Sequence, residues 1–294
     1  MKPNPLLFLF VAFTLHGLFA NDAFGQRWRI KVSSSDKAVI YKEDGSISEE
    51  SESRKVRGIP SPDRKRVAYI NTLNGDAEIF VADSDGKNER QLTRNDSIDN
   101  FPSWTPDGKR LVFASTRKGT WQIFSMNLEG KDVQQLTNHK VGAWRPKVGP
   151  DGTIAYLGKY ESRGKLRPVD LCLLKKDKSK KLVEKTFMTD FEWSPNGSMI
   201  AYGTLGEINF REIQSGKNSI VTFKNIDKRL YSHGTSFIKW RPDNQAVVCS
   251  ITFLGGRFVG TTIFGDHELF VIPIAGKPSW FTPKSDFQNV EWIK

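Results

Sequence analysis

Short apolar segments separated by polar turns recur along most of the chain at intervals of about 45 residues. The clearest of them lie at residues 67–70, 111–114, 154–157, 199–202 and 246–249. Each segment is too short for a helix, and a short apolar run bounded by turn residues is typical of a buried strand. The pattern predicts a protein built from many short β-strands.

A proline-containing turn precedes each of these segments. The prolines are Pro62, Pro106, Pro150, Pro195 and Pro242, and they lie 44, 44, 45 and 47 residues apart. Proline presets φ for a tight turn, and the Asp or Asn that follows it is expected to cap the turn rather than bind an ion. A tryptophan two residues before the proline recurs at Trp104, Trp193 and Trp240. Its fixed position favours packing between repeats over ligand binding.

The pattern of each repeat predicts four short strands, and such a series of four-stranded units predicts a β-propeller. Five complete units lie between about residues 59 and 282. Residues 287–294 match a first strand up to its tryptophan, and residues 28–32 and 38–41 match a second and a third strand. We therefore predict an all-β, six-bladed propeller with four-stranded blades, in which N- and C-terminal strands from residues 26–58 and 283–294 close the last blade.

The first residues predict a signal peptide, so residues 26–294 would form one propeller domain. Lys2 precedes an apolar run at residues 6–13, and Ala23 and Gly25 are small residues at the −3 and −1 positions of a cut before Gln26. A cut after Ala20 and a retained membrane anchor are the alternatives. The expected location is periplasmic or extracellular.

The repeat Pro-x-Trp-Ser/Thr-Pro-Asp-Gly-Lys is followed by an apolar strand, Ser-x-Arg-x-Gly, Ile-Phe and Leu-Thr, most clearly within residues 59–137. It resembles the WD-like repeat of TolB-like propellers over nearly the whole mature chain. The resemblance implies the fold more than a function, because similar repeats occur in TolB, in propeller domains of prolyl peptidases and in some polysaccharide lyases. TolB proper has an additional α/β domain before its propeller. The 33 residues at 26–58 are too few for such a domain, so we expect a TolB-like propeller that lacks it.

The composition indicates a basic protein with two cysteine residues. There are 44 Lys+Arg against 33 Asp+Glu, a net charge of +11, which favours anionic partners. The basic run at residues 175–181 lies in a predicted turn, where such runs are usually solvated. Cys172 and Cys249 lie in apolar runs of repeats that are not adjacent, so we expect two buried free thiols.

Strand order predicts two rims, with the Pro-Asp turns at one of them. The loops between second and third strands and the connections between repeats lie at the other, which we call the connection rim. Its loops supply the candidate partner-binding residues Arg117, Arg163, Arg229, Tyr231, Arg257 and Phe258. The last two belong to the longest insertion, residues 254–266. Long irregular loops are often functional, and a merely tolerated insertion is the alternative.

Three histidines, His139, His233 and His267, are also expected on the connection rim. The resemblance to propeller lyases implies a divalent metal held by histidines near the channel. No short metal-ligand spacing supports such a site, and solvated loop histidines are the alternative. Apart from that metal, no cofactor is expected.

The chain has no Gly-x-Ser-x-Gly elbow, phosphate-binding loop or His-Glu-x-x-His motif. The leading hypothesis is an exported, non-enzymatic TolB-like propeller that binds a protein, a glycan or another anionic envelope component. It would be a monomer, peripheral to the membrane at most, with no nucleic-acid partner. The alternatives are a polysaccharide lyase with a rim histidine metal site and a scaffold for a partner chain that supplies the chemistry.

Overall fold

The computed structural model describes residues 28–33, 37–42, 46–52, 58–73, 75–158, 168–176, 178–223, 235–252, 267–274, 279–281 and 289–293. The strands near the N-terminus are β1 (Arg29–Ser33), β2 (Lys37–Lys42) and β3 (Ile47–Glu52). The next twelve are β4 (Ile59–Pro60), β5 (Arg66–Leu73), β6 (Asp76–Asp83), β7 (Arg90–Gln91), β8 (Asp99–Trp104), β9 (Arg110–Ser115), β10 (Gln122–Asn127), β11 (Gln134–Gln135), β12 (Ala143–Val148), β13 (Ile154–Gly158), β14 (Val169–Lys175) and β15 (Lys178–Thr186). The last nine are β16 (Asp190–Trp193), β17 (Met199–Thr204), β18 (Glu207–Glu212), β19 (Asn218–Thr222), β20 (Thr235–Trp240), β21 (Ala246–Thr252), β22 (His267–Pro273), β23 (Ser279–Phe281) and β24 (Asn289–Ile293).

Consecutive strands form antiparallel four-stranded sheets, which we call blades. Blades 1 to 5 are β4–β7, β8–β11, β12–β15, β16–β19 and β20–β23, each running from its innermost to its outermost strand in chain order. A composite sheet has the strand order β24-β1-β2-β3, with Asn289 opposite Ser33 and Ile293 opposite Arg29. Within the described residues no helix is long and apolar enough to cross a membrane.

The Pro-Asp turns are closed by their own side chains. In blade 2, Thr105 Oγ1 donates to a carboxylate oxygen of Asp107 at 2.6 Å, and the same oxygen accepts the backbone N–H of Lys109 at 3.0 Å. Ser61 and Asp63 repeat the arrangement in blade 1, at 2.6 Å. The turn hydroxyl is the main cause that lowers the pKa of Asp63 and Asp107 below the usual value. The Asp side chains therefore cap turns, as the sequence indicates.

The blade 3 turn predicts a pH-dependent contribution to stability. Lys175 Nζ lies 2.6 Å from Asp151 Oδ2 and is the main cause that lowers the pKa of Asp151 from 3.8 to about 2. A carboxyl group with a depressed pKa stabilises the fold above its unfolded-state pKa, and that contribution is lost as the pH falls through the folded-state value. Asp151→Asn is therefore expected to lower the unfolding free energy by roughly 0.5–1 kcal/mol at neutral pH. The difference from the wild type should disappear between about pH 4 and pH 2.

Urea unfolding at several pH values measures this difference. Glu129→Gln, which removes an exposed carboxylate from a turn of blade 2, is the matched control and should track the wild type. A destabilisation by Asp151→Asn that persists unchanged below about pH 2 would contradict the ion-pair explanation.

The outermost strands of blades 1 and 2 are fixed by a repeated threonine. Thr137 Oγ1 accepts the N–H of Ile123 at 2.8 Å and donates to Gln122 Oε1 at 2.9 Å. In blade 1, Thr93 Oγ1 accepts the N–H of Ile79 at 2.9 Å and donates to Glu78. The Leu-Thr element of the repeat thus holds the end of each of these blades to the start of its third strand.

The repeated tryptophan joins blades 2, 4 and 5 and the composite sheet to the blade before each of them, whereas blade 3 has Val148 at this position. The indole N–H of Trp193 donates to the carbonyl oxygen of Lys147 at 2.9 Å, and that of Trp240 donates to the carbonyl oxygen of Glu192 at 3.0 Å. The same bond runs from Trp104 to Ile59 at 2.8 Å and from Trp292 to Lys239 at 3.1 Å. These rings are nearly buried, which supports the packing role predicted from their register.

The predicted six-bladed propeller, with its last blade closed by N- and C-terminal strands, requires correction, because the chain forms five blades of four strands from consecutive segments. Buried clusters join neighbouring blades from 1 to 5. The composite sheet packs on blade 5, where Trp28, Ile30 and Trp292 share one buried cluster with Val248 and Leu269. No buried cluster of the described residues joins this sheet to blade 1.

The innermost strand of blade 1, β4, explains why no buried cluster of the described residues joins this blade to the composite sheet. Strand β4 has only two residues, and its Ile59 is 44% exposed. Pro60 stands two residues before Pro62, where the repeats of blades 2, 4 and 5 place tryptophan, and it has no N–H to donate to a neighbouring strand. The described structure is therefore a propeller of five blades with a composite terminal sheet attached to blade 5.

Candidate binding site

Arg117 is the one predicted partner-binding residue that lies within the described part of the chain. Its guanidinium donates to both carboxylate oxygens of Asp99, at 3.0 and 2.9 Å, and to Ser115 Oγ at 2.9 Å. The group also lies 5.3 Å from the ring centroid of Phe113 and 5.0 Å from that of Phe124. Since the Asp99 side chain is fully buried, Arg117 has a structural role in blade 2, and its role in binding stays a prediction.

The other five candidates, Arg163, Arg229, Tyr231, Arg257 and Phe258, lie outside the described residues, as does His233. Of the remaining histidines, His139 is partly buried and its Nε2 lies 2.7 Å from the hydroxyl of Tyr156. Burial lowers the pKa of His139. His267 begins β22, opposite Thr252.

No group of three or more His, Cys, Asp or Glu residues that could hold a metal occurs among the residues described. The histidine metal site therefore stays a hypothesis. The two cysteines are free and buried, as predicted, and burial raises the pKa of the Cys249 thiol.

A row of charged side chains lies on the innermost strands of blades 3, 4 and 5, which we call the inner-strand row. Its members are Arg145, Lys147, Asp190, Glu192 and Lys239. These are the strands that surround the central channel of a propeller. The exposure of these side chains ranges from 5% for Asp190 to 49% for Lys239.

Ion pairs between neighbouring blades connect the members of the row. Lys147 Nζ lies 3.2 Å from Asp190 Oδ1 and 3.0 Å from Glu192 Oε2. Arg145 donates to the Thr189 carbonyl oxygen at 2.9 Å and lies 3.4 Å from Asp190. Asp190 also accepts the backbone N–H of Ile238 in blade 5 at 3.0 Å, so its carboxylate joins three blades.

The electrostatics of the row differ from one end to the other. Burial opposes the charge on Lys147, but Asp190 and Glu192 outweigh this effect and raise the pKa of Lys147. Lys239 is less engaged, because its Nζ lies 3.8 Å from Glu192 and its side chain is 49% exposed. Lys239 is therefore the most exposed of the five members of the row.

The sequence interpretation missed the inner-strand row, although the repeat contains a signal for it. Glu192 and Lys239 immediately precede Trp193 and Trp240, and Lys147 has the same register in blade 3. In blades 3 to 5 the charges at this one position alternate in sign. A comparison of the residue three positions before each repeated proline would have found Lys147, Glu192 and Lys239, but not Arg145 or Asp190.

Four-stranded antiparallel blades that pack in chain order and are joined at their inner strands define a β-propeller. Within that class, the TolB beta propeller domain family (PD40) matches residues 36–224. The chain belongs to this family.

One protein with a similar sequence and two solved structures with a similar fold show the extent of the similarity. The Tol-Pal system protein TolB of Desulfosudis oleivorans is 40% identical over 48 residues, which are 16% of this chain and 11% of that protein. The crystal structure of TolB from Acinetobacter baumannii has a TM-score of 0.62 and 20% identity, covering 92% of this chain and 67% of that one. An oligogalacturonate lyase in complex with manganese has a TM-score of 0.51 and 13% identity, covering 81% of this chain and 68% of that one. These two structural similarities establish a shared fold.

Proposed function

We propose that this chain is an exported, non-enzymatic TolB-like propeller that binds an envelope protein through the inner-strand row. Membership of the TolB propeller family and the similarity to a Tol-Pal system protein support a protein-binding role. The observation that carries the proposal is the half-exposed Lys239, whose Nζ lies 3.8 Å from Glu192 and which is the least engaged cation of the row. An acidic side chain or a carboxyl terminus of the partner is the group that this cation fits.

The arrangement is suited to binding because its geometry is fixed in advance. The backbone at Lys239 is held from both sides, since its carbonyl accepts the indole N–H of Trp292 and Trp240 bonds to blade 4. A charge held on a rigid strand loses little conformational freedom when a partner binds. The inner-strand row can therefore select a partner by the position of its negative charges.

The test combines a charge reversal with a matched control. Partners are first captured from an envelope extract with the purified chain and identified by mass spectrometry, and the dissociation constant of each is then measured. Lys239→Glu is expected to raise that constant at least about tenfold, because it places two acidic groups together and repels the partner's carboxylate. Lys109→Glu, which reverses an exposed lysine in the turn of blade 2, should leave it unchanged. Equal affinities for the two variants would refute binding at the inner-strand row.

Export is part of the same proposal and has its own test. Residues 1–25, the predicted signal peptide, lie outside the described residues. N-terminal sequencing of the protein from an envelope fraction should give Gln26 for a cut after Gly25, or Asn21 for a cut after Ala20. Recovery of the uncut chain from the cytoplasm would contradict export.

The lyase alternative rests on likeness of fold to an oligogalacturonate lyase in complex with manganese. Incubation of the purified chain with oligogalacturonate and manganese tests it directly, because a lyase forms an unsaturated product that absorbs ultraviolet light. Product formation that is lost in His267→Ala would replace the non-enzymatic proposal. No product is the result that we expect.

A further inference from the structure

Two of the outermost strands, β15 and β3, carry opposite charges. Strand β15 of blade 3 has nine residues, whereas the outermost strands β7 and β11 have two each. The first four residues of β15 are exposed, and three of them are lysines, Lys178, Lys180 and Lys181. A long outermost strand presents unpaired backbone groups that another strand can meet.

The composite sheet ends in an acidic strand of six residues. Strand β3 has the sequence Ile-Ser-Glu-Glu-Ser-Glu, and it is the outermost strand of the order β24-β1-β2-β3. Glu49 and Glu50 are exposed. The chain therefore has a basic edge on blade 3 and an acidic edge on the composite sheet.

The two edges also match in backbone geometry. Strand β15 pairs regularly with β14 from Lys178 to Lys181, and then a bulge skips Leu182. Strand β3 pairs regularly with β2 from Glu49 to Glu52, and a bulge skips Ser48. Each edge thus has one regular segment of four residues next to a bulge.

One antiparallel register brings the regular segments together along their whole length. It places residue 49 opposite 181, 50 opposite 180, 51 opposite 179 and 52 opposite 178, so that each glutamate position faces a lysine position and Ser51 faces Ser179. The same register places the two bulge residues, Ser48 and Leu182, opposite each other. Oppositely charged residues that face each other across strands stabilise an antiparallel pair, and like charges destabilise it.

We propose that β3 of one copy of this chain adds to β15 of a second copy, so that the composite sheet of one molecule continues into blade 3 of the next. Blades 4 and 5 lie between these two sheets along the packed order, so one molecule does not pair its own edges. The two surfaces in contact are different, and a contact of this kind propagates head to tail. The proposed self-association differs from the monomer that the sequence predicts, and it is independent of the proposed envelope partner.

The experiment follows the mass of the purified protein by analytical ultracentrifugation over a range of concentrations and salt. Association of the wild type is expected at low salt and should weaken as salt rises, because the Debye length falls from ~10 Å at 0.1 M to ~3 Å at 1 M. Lys178→Gln/Lys180→Gln removes two of the three lysines of the basic edge and leaves Lys181 with its partner Asp170. Glu49→Gln/Glu50→Gln removes two of the three glutamates of the acidic edge. Each double variant alone is expected to raise the dissociation constant about tenfold. Lys131→Gln/Lys217→Gln, with exposed lysines from other blades, is the matched control and should associate like the wild type.

Mixing the two edge variants distinguishes this contact from general charge attraction. The lysine variant keeps its acidic edge, and the glutamate variant keeps its basic edge. One molecule of each can therefore pair, but the altered edges left at both ends of the pair bind weakly, so an equimolar mixture should form dimers and no larger species. A wild type that stays monomeric at low salt overturns the proposal. So does association that the edge variants leave unchanged, or a mixture that grows beyond dimers as the wild type does. Circular dichroism spectra equal to that of the wild type show that all four variants are folded.

Discussion

Replacing Arg117 with methionine is expected to lower the free energy of unfolding by about 3 kcal/mol. The Asp99 carboxylate has no exposed surface and receives two hydrogen bonds from this guanidinium, so the variant leaves a buried charge without its cation. Asn95 donates to Asp99 at 2.7 Å and compensates only in part. Urea or thermal unfolding, followed by tryptophan fluorescence, measures the loss.

Arg110→Met is the matched control for this prediction. The Arg110 side chain is 27% exposed, close to the 23% of Arg117, but its partner Asp132 is 52% exposed rather than buried. Water can solvate Asp132 after the substitution, so we expect a loss of less than about 1 kcal/mol. Adding Asp99→Asn to Arg117→Met should recover part of the stability, because the buried charge is then gone. Equal losses for the two arginine variants would show that burial of the carboxylate does not set the cost.

Replacing Trp193 with alanine is expected to cost about 4 kcal/mol of unfolding free energy. The ring is 7% exposed and belongs to the cluster between blades 3 and 4. It lies against the backbone at Gly149, where an added Cβ would be 3.0 Å from two ring atoms. Alanine would leave a cavity between the blades and remove the hydrogen bond to the Lys147 carbonyl as well.

Trp193→Phe separates these two contributions. Phenylalanine retains much of the apolar ring but has no N–H, so the expected loss is about 1–2 kcal/mol, mostly from the unpaired carbonyl. A Phe variant as stable as the wild type would show that the indole hydrogen bond does not contribute. A loss as large as that of Trp193→Ala would show that packing of the ring contributes little.

The features predicted well from the sequence are those that one repeat contains within itself. Pro106, Asp107 and Trp104 lie within a few residues of one another, so the turn and the start of the second strand follow from local chemistry. Recurrence of the tryptophan then indicated contact between repeats. The family membership confirms the prediction of a TolB-like propeller.

The features that were missed depend on pairing between distant residues. Asp190 meets Arg145 and Lys147 across a blade boundary, at separations of more than forty residues, and no local pattern specifies that contact. Arg117 was predicted to bind a partner because it is a loop arginine. Its ion pair with Asp99 depends on packing that the sequence of one repeat does not specify. The blade count failed for a similar reason, since a match to the repeat says little about what β4 packs against.

The bond that joins the blades has an evolutionary consequence. Its acceptor is a main-chain carbonyl, at Ile59, Lys147, Glu192 and Lys239, so the side chain at that position takes no part in it. One residue type can therefore be exchanged for another at this register without loss of the connection. The bond between sheets and the charge at this register can thus change independently, so that a blade can vary its charge while the scaffold around it stays the same.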